Sequence, residues 1–225
     1  NVQNAISFVE VQDGMLETAG RIINRMAEMK GMATADPMKS DQDIESYNNE
    51  FHDLQQQLYQ ISQQTFNGAS IFANTTTRDG STEVLFKGSS VQDHTISIFT
   101  SDNGSAGTKI SIHRATLLSA LVITNNGTYG SDEWDDRTNK DATTAGNITA
   151  TGNAVVALAS EDSTSVVDFN QVSMKVFEKA LENIAYLRAQ AGGSMSRLNF
   201  AADSIASYTA NMRAAVGRIE DVDIA

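Results

Sequence analysis

Apolar side chains recur every seven residues at the start of the chain, which predicts a helix that packs along one seam. Between Val2 and Ala33, eight of the ten seam positions are apolar, and the exceptions are Gln12 and Lys30. The pattern stops at Asp36-Pro37, because proline removes a backbone donor and disfavours a helical residue before it. We therefore expect the first long helix to end at this dipeptide.

A second helix is predicted after Ser40, which with Asp43 three residues later is typical of an N-cap. Six apolar seam positions follow: Ile44, Tyr47, Phe51, Leu54, Leu58 and Ile61. The run ends at Thr65. The next residues, Phe66-Asn67-Gly68, predict a turn, because asparagine and glycine tolerate a positive φ.

The longest pattern extends from about Asn170 to Val222, where thirteen of fourteen seam positions are apolar. A helix of this length would measure about 80 Å. Gly192-Gly193 lies inside it and predicts a local weak point but no break, since the register continues. Because such seams must be buried, residues 1–68 are expected to pack along residues 170–222.

The middle of the chain has a different character, since 28 of residues 75–165 are serine or threonine and the heptads vanish. Alternation predicts strands at 95–98 and 109–112, with 83–87 as a possible partner strand. Residues 114–123 fit either a short helix or a strand, and residues 125–152 are typical of exposed loops. We predict a mainly α fold with a smaller β-containing insert on a long helical bundle or rod. Its divisions are 1–74 (first half of the helical core), 75–165 (insert) and 166–225 (long C-terminal helix).

Composition excludes several classes of partner. The chain carries 16 Lys and Arg against 28 Asp and Glu, a net charge of −12. Binding to the phosphates of nucleic acid needs clustered basic residues, so we expect neither nucleic acid nor a membrane surface as a partner. No apolar run reaches the roughly 18 to 20 residues that span a bilayer. Cysteine is absent, which excludes disulfides and thiolate chemistry.

The sequence contains no pattern that predicts catalysis, a metal or a cofactor. His52, His94 and His113 are not at metal-ligand spacing, and they are expected to be exposed or hydrogen-bonded. The acidic run Asp132–Asp136 lacks the glycine and terminal glutamate of an EF-hand loop. Phosphate-binding glycine loops and the Gly-x-Ser-x-Gly nucleophile motif are also missing. We therefore predict that the chain is not an enzyme.

Six short motifs lie at the two ends of the chain. They are Asp13-Gly14-Met15-Leu16, Arg25-Met26-Ala27-Glu28-Met29, Glu50 through Leu58, Thr65-Phe66-Asn67-Gly68, Ser196-Arg197-Leu198-Asn199 and Arg218 through Ala225. Together these motifs resemble those of bacterial flagellin, over about residues 1–100 and 168–225. The most specific residues are Phe66, Asn67, Gly68, Arg218, Ile219, Glu220 and Asp221. Two distant ends match in the right order around a dissimilar middle, which makes the resemblance specific.

The resemblance implies a structural subunit of the secreted, extracellular flagellar filament, which serves motility. In that family the two ends form the core of the filament wall, and further terminal helices form its innermost layer. The implied partners are other copies of the chain, an export chaperone and the filament cap. Rival hypotheses are a hook–filament junction protein, a secreted coiled-coil adhesin or secretion-needle tip protein, and an enzyme housed in the insert. The Thr65–Gly68 motif favours flagellin over the junction protein.

The resemblance also implies a contact region, because the stretch 24–31 corresponds to the family segment that stacks subunits along a protofilament. In many flagellins the same family segment also contacts the flagellin-sensing Toll-like receptor. The candidate residues are Asn24, Arg25, Glu28, Met29 and Glu50. Met29 stands where recognised flagellins commonly have leucine, and Ala27 where they have arginine, so receptor recognition is expected to be weaker.

Overall fold

The computed structural model describes residues 1–35, 40–73, 94–101, 106–125, 134–136 and 155–222. Its helices are α1 (Val2–Ala35), α2 (Asp41–Ser62), α3 (Leu117–Ala120) and α4 (Met174–Val222). Its strands are β1 (Thr65–Phe66), β2 (Ala69–Ser70), β3 (Thr95–Phe99), β4 (Lys109–His113), β5 (Val122–Asn125), β6 (Trp134–Asp136) and β7 (Val155–Ala157). The mainly α fold with a small strand-containing part is thus confirmed. No helix in the described ranges is long and apolar enough to cross a membrane.

Helices α1 and α4 form an antiparallel pair, which is the axis of the rod. Near the start of α1, Val2 borders the same surface groove as Ile205 of α4. Further along α1, Asp13 accepts hydrogen bonds from Arg188, which lies earlier in α4, so the two helices run in opposite directions. The predicted seams are the buried core of this pair. Its fully or almost fully buried members include Val9, Leu16, Ala19, Ile23, Met26, Phe177, Ala180, Ile184, Leu187, Ala191 and Leu198.

The predicted pairing of residues 1–68 with all of 170–222 is wrong for the last turns of α4. Tyr208 and Ile219 occupy seam positions, yet they are 65% and 72% exposed. The 34 residues of α1 extend about 51 Å and the 49 residues of α4 about 73 Å, so α1 lies along only part of α4. Helix α4 also begins at Met174 and not at Asn170, after a 3-10 turn. It continues through Gly192-Gly193, as predicted.

Helix α2 begins with the predicted cap. The Ser40 hydroxyl accepts from the backbone N–H of Asp43 at 3.3 Å, and the Asp43 carboxylate accepts from the Ser40 N–H at 3.2 Å. This reciprocal pair is a capping box, which satisfies two otherwise unpaired donors. Helix α1 ends at Ala35, and the Asp36-Pro37 dipeptide lies outside the described residues.

Strands β1 and β2 form the predicted tight turn, with Phe66 opposite Ala69. Asn67 has φ 49° and Gly68 has φ 80°. Positive φ at both central residues is typical of a type I′ hairpin, whose twist matches the strands that it joins. The Phe66 ring packs edge-on against Phe8 of α1, with centroids 6.1 Å apart. The hairpin is therefore held against the rod.

Gly68→Ala is expected to lower the free energy of unfolding by about 1 kcal/mol, because a Cβ disfavours the positive φ at this position. The matched control is Gly14→Ala on the exposed face of α1, where an added Cβ meets no atom within 4 Å. That change should raise stability by about 0.5–1 kcal/mol, through helix propensity alone. Urea unfolding of both variants checks the difference in sign. Equal stabilisation by the two substitutions would contradict the strained turn.

The strands observed in the middle region agree only in part with those predicted from the sequence. The two predicted strands are present as β3 and β4, and they pair with each other antiparallel, with Ile96 opposite Ile112. The undecided stretch 114–123 contains both α3 and the start of β5. The loop prediction for 125–152 is wrong at Trp134–Asp136, because pairing with β5 stabilises β6 despite its polar composition. The possible strand 83–87 lies outside the described residues.

Buried amide side chains fasten the extended segments to the helices. Gln12 of α1 accepts from the Ala115 N–H at 3.1 Å and donates to the His113 carbonyl at 3.4 Å. Asn183 of α4 donates to the Ala120 carbonyl at 3.0 Å. Each amide satisfies a backbone group that would otherwise be buried without a partner, after strand β4 for Gln12 and at the end of α3 for Asn183. Gln12, a polar residue at a seam position of α1, therefore fixes the position of residues 113–115 on the rod.

Candidate assembly surface

The predicted contact residue Arg25 lies on α1 and bridges to α2. Its Nε donates to Glu50 Oε1 at 2.7 Å, and its NH1 lies 3.6 Å from Glu28 Oε2. The side chains of Arg25 and Glu50 are each 43% exposed. The guanidinium is thus oriented by two carboxylates and still presents donors to solvent. Such a pre-oriented cation suits a charge-assisted contact with a carboxylate of another protein.

The electrostatics of Arg25 follow from the same neighbours. The hydrogen bond to Glu50, followed by the charge of Glu50, raises the pKa of Arg25 above its ordinary value. Arginine is already charged at physiological pH, so this neighbour orients the group and does not switch it. Because the pair is exposed, its contribution to folding stability is expected to be small.

The other predicted contact residues divide into surface and core. Asn24 and Glu28 are exposed on α1 beside Arg25, and Ala27 is half-buried. Met29 is fully buried in the rod, so its side chain is not on the surface beside Arg25. Met29 lies three residues after Met26, and both residues are therefore on the face of α1 that packs in the core.

The family-motif residues occupy places far from Arg25. Phe66, Asn67 and Gly68 form the β1–β2 hairpin. Arg218, Ile219 and Glu220 are exposed near the end of α4, and Asp221 belongs to the same turn. Arg25 lies towards the opposite end of the rod, beyond the level where Gly20 meets Ile184. The structure therefore does not unite the motif residues with the predicted contact region.

A second ion-paired cluster, which sequence reasoning missed, joins α1 to α4. Arg188 donates from Nε and NH2 to the two carboxylate oxygens of Asp13, at 2.9 and 3.1 Å. Its NH2 also lies 3.5 Å from Glu17. The hydrogen bond to Asp13 is the largest cause that raises the pKa of Arg188. Because the partners are 175 residues apart in the chain, no sequence pattern indicates this clamp.

Two contacts hold the 3-10 turn before α4 against the first two helices. His52 Nε2 lies 2.9 Å from Asp168 Oδ1, which agrees with a hydrogen-bonded histidine. The ammonium of Lys30 lies 5.8 Å from the centre of the Phe169 ring, within cation–π range. Burial lowers the pKa of Lys30. Lys30, the second polar exception in the first seam, is thus accommodated by an aromatic face.

Metal chemistry finds no support in the described ranges, where no three His, Asp or Glu side chains are grouped to hold an ion. Of the acidic run Asp132–Asp136, only residues 134–136 are described, as strand β6. The molecule is an antiparallel helical rod with an oriented cation on one face. These features define a helical-bundle protein whose two long helices pack along an apolar seam.

Comparisons with known proteins identify the family. The family model for the bacterial flagellin N-terminal helical region matches residues 1–77. The model for the bacterial flagellin C-terminal helical region matches residues 174–225. The chain belongs to the bacterial flagellin family.

Curated relatives agree with this family. Flagellin of Listeria innocua is 23% identical over 226 residues, and flagellin of Listeria monocytogenes is 24% identical over the same length. Each alignment includes all of this chain and 65% of the relative. The chain thus spans about two thirds of the length of these relatives.

Two solved structures share the fold. Bacillus cereus flagellin has a TM-score of 0.53 at 21% identity, over 96% of this chain and 93% of that one. FlgL of Xanthomonas campestris has a TM-score of 0.54 at 15% identity, over 97% of this chain and 94% of that one. The fold alone therefore does not separate this chain from either protein. The family assignment rests on the two family models.

Proposed function

We propose that this chain is part of a structural, non-catalytic subunit of the bacterial flagellar filament, which is secreted and serves motility. The observation that supports it best is that the two family-matched ends form one antiparallel rod, with α1 along α4. An open helical filament requires contacts between copies that are heterologous and do not close. A rod with different features at its two ends suits such contacts.

A chimaera tests this proposal. This chain replaces the matching 65% of Listeria monocytogenes flagellin in a strain that lacks its own flagellin. We expect filaments on the cell surface by electron microscopy, and swimming motility. The matched control is the unaltered Listeria flagellin in the same strain. Secretion of the chimaera without filaments would contradict the proposal and would favour the junction-protein or adhesin hypothesis.

Arg25→Ala is expected to reduce filament assembly at least several-fold, because it removes the oriented cation that the contact needs. Folding should be preserved, since the ion pair with Glu50 is exposed. The matched control is Arg21→Ala, one turn earlier, where the arginine is paired only within α1 to Glu17. Light scattering during seeded growth of the chimaera measures the rate. Equal rates for both variants would show that Arg25 is not a contact.

Recognition by the flagellin-sensing Toll-like receptor is a further part of the proposal. Its support is the exposed guanidinium of Arg25 beside Glu50. In a receptor-reporter cell assay, Arg25→Ala should shift the activation curve to higher protein concentration, and Arg21→Ala should not. An unchanged curve for Arg25→Ala would exclude this residue as a receptor contact.

The export chaperone and the filament cap are proposed partners on the resemblance alone. Co-expression of the chimaera with the flagellar export genes of the same strain tests whether the export chaperone binds it. Retention of a stable complex before secretion would support it. Secretion at normal levels without any such complex would contradict it.

A further inference from the structure

The β3–β4 hairpin brings two histidines together against the rod. His113 is the last residue of β4, and His94 precedes β3 and accepts a hydrogen bond from the Arg114 N–H at 2.9 Å. Their ring centroids are 5.6 Å apart, with a tilt of 44°. The Nδ1 atoms of both rings are buried. Their spacing in the sequence does not indicate this pairing, because antiparallel register creates it.

The pair lies at the point where the hairpin meets both long helices. Gln12 of α1 bonds the His113 carbonyl and the Ala115 N–H, at 3.4 and 3.1 Å. The neighbouring Ile112 is almost fully buried. On α4, the positive charge of the exposed Arg197 acts on His113. The half-buried ring of His113 therefore lies where the hairpin packs on the rod.

The described groups around His113 are cationic or neutral. The hairpin contributes His94 and Arg114, and Lys109 lies at the far end of β4. Helix α4 contributes Arg197. Helix α1 contributes the neutral amide of Gln12. Asp13 follows Gln12 on α1 and is the nearest carboxylate to it along the helix. It accepts hydrogen bonds from Nε and NH2 of Arg188.

We propose that the β3–β4 hairpin is an acid-sensitive latch, in which protonation of His113 beside His94 and Arg197 loosens the hairpin from α1 and α4. The α1–α4 pair does not depend on this histidine, because its seam is apolar and its clamp is Asp13 with Arg188. Mild acid therefore releases the hairpin while the rod stays folded. The device is independent of filament formation.

The direction of the effect follows from proton binding. Burial, followed by the charge of Arg197, lowers the pKa of His113 below its ordinary value. An exposed histidine titrates near pH 6.5, so the released hairpin binds a proton more readily than the docked one. The docked state is fully stabilised above about pH 6.5 and weakens as the pH falls through that value. Each unit by which the pKa is lowered corresponds to about a tenfold change in the docking equilibrium.

Hydrogen exchange on the chain tests the latch. After correction for intrinsic rates, peptides from 95–99 and 109–113 should lose protection between pH 7.5 and 5.5, by a few-fold to about tenfold. Peptides from 177–191 of α4 should not change. His113→Gln, which stays neutral, should abolish the pH dependence. The matched control is His52→Gln, whose ring bonds Asp168 elsewhere in the fold, and it should retain the dependence.

Two results would overturn the proposal. The first is equal protection of the hairpin at both pH values, or a full pH dependence that persists in His113→Gln. The second comes from NMR titration of the wild-type histidine rings, which does not require a variant to fold. There a His113 midpoint at or above about 6.5 would exclude the latch.

Discussion

Phe51→Ala is expected to lower the free energy of unfolding by about 3–5 kcal/mol. Phe51 is fully buried on α2, and its ring packs edge-on against Phe169 and Phe177, with centroids 6.4 and 6.1 Å apart. Removal of the ring leaves a cavity and also loses two edge-to-face contacts, which contribute about 0.5–1.5 kcal/mol each. Urea unfolding followed by circular dichroism measures the change.

The matched control for this prediction is Phe200→Ala. Phe200 belongs to α4 but is 73% exposed, so the same substitution removes no core contact. We expect a change within about 0.5 kcal/mol there. A similar loss for Phe200→Ala, or a loss below about 1 kcal/mol for Phe51→Ala, would contradict the assignment of Phe51 as the anchor of α2.

Gln55→Leu is expected to lower the free energy of unfolding by about 2–5 kcal/mol, although leucine is apolar and similar in size. Gln55 is fully buried on α2. Its Nε2 donates to the Val167 carbonyl at 2.7 Å, and its Oε1 accepts from the Val167 N–H at 3.0 Å. Leucine would leave both backbone groups buried and unpaired, at about 1–3 kcal/mol each.

The control for this second prediction is Gln57→Leu, two residues along the same helix, where the side chain is exposed. That variant should unfold at nearly the wild-type urea concentration. If Gln55→Leu were as stable as the wild type, the paired amide would have no net structural role. Hydrogen exchange at the Val167 amide gives an independent readout, since its protection should fall only in Gln55→Leu.

The long heptad patterns of α1 and α4 were well predicted, because every seam position meets the same physical requirement of burial. A heptad of apolar residues must be buried, so the seams of α1 and α4 were identified without knowledge of their partner. Local turn chemistry was equally predictable, as Ser40 with Asp43 and Asn67-Gly68 show. Errors occurred where neighbours decide, as in strand β6, whose pairing with β5 is not encoded by its own residues.

The candidate surface was predictable only in part. Arg25 and Glu50 were selected through the family resemblance, and the structure joins them in one ion pair at 2.7 Å. Met29 was selected in the same way, but the rotation of α1 turns it into the core. No sequence pattern indicated the Asp13–Arg188 clamp, since pairs of opposite charge are common and these two residues are 175 positions apart in the chain.

The amino-acid sequence by itself determined the helical ends, their capped and turned boundaries, and the family of the chain. Periodicity and turn residues act over a few positions, so a single chain suffices to detect them. The tertiary structure alone decided how far α1 covers α4, which amides hold the extended segments, and that His94 and His113 meet. Those features depend on antiparallel register and on burial, which join residues that no local pattern relates.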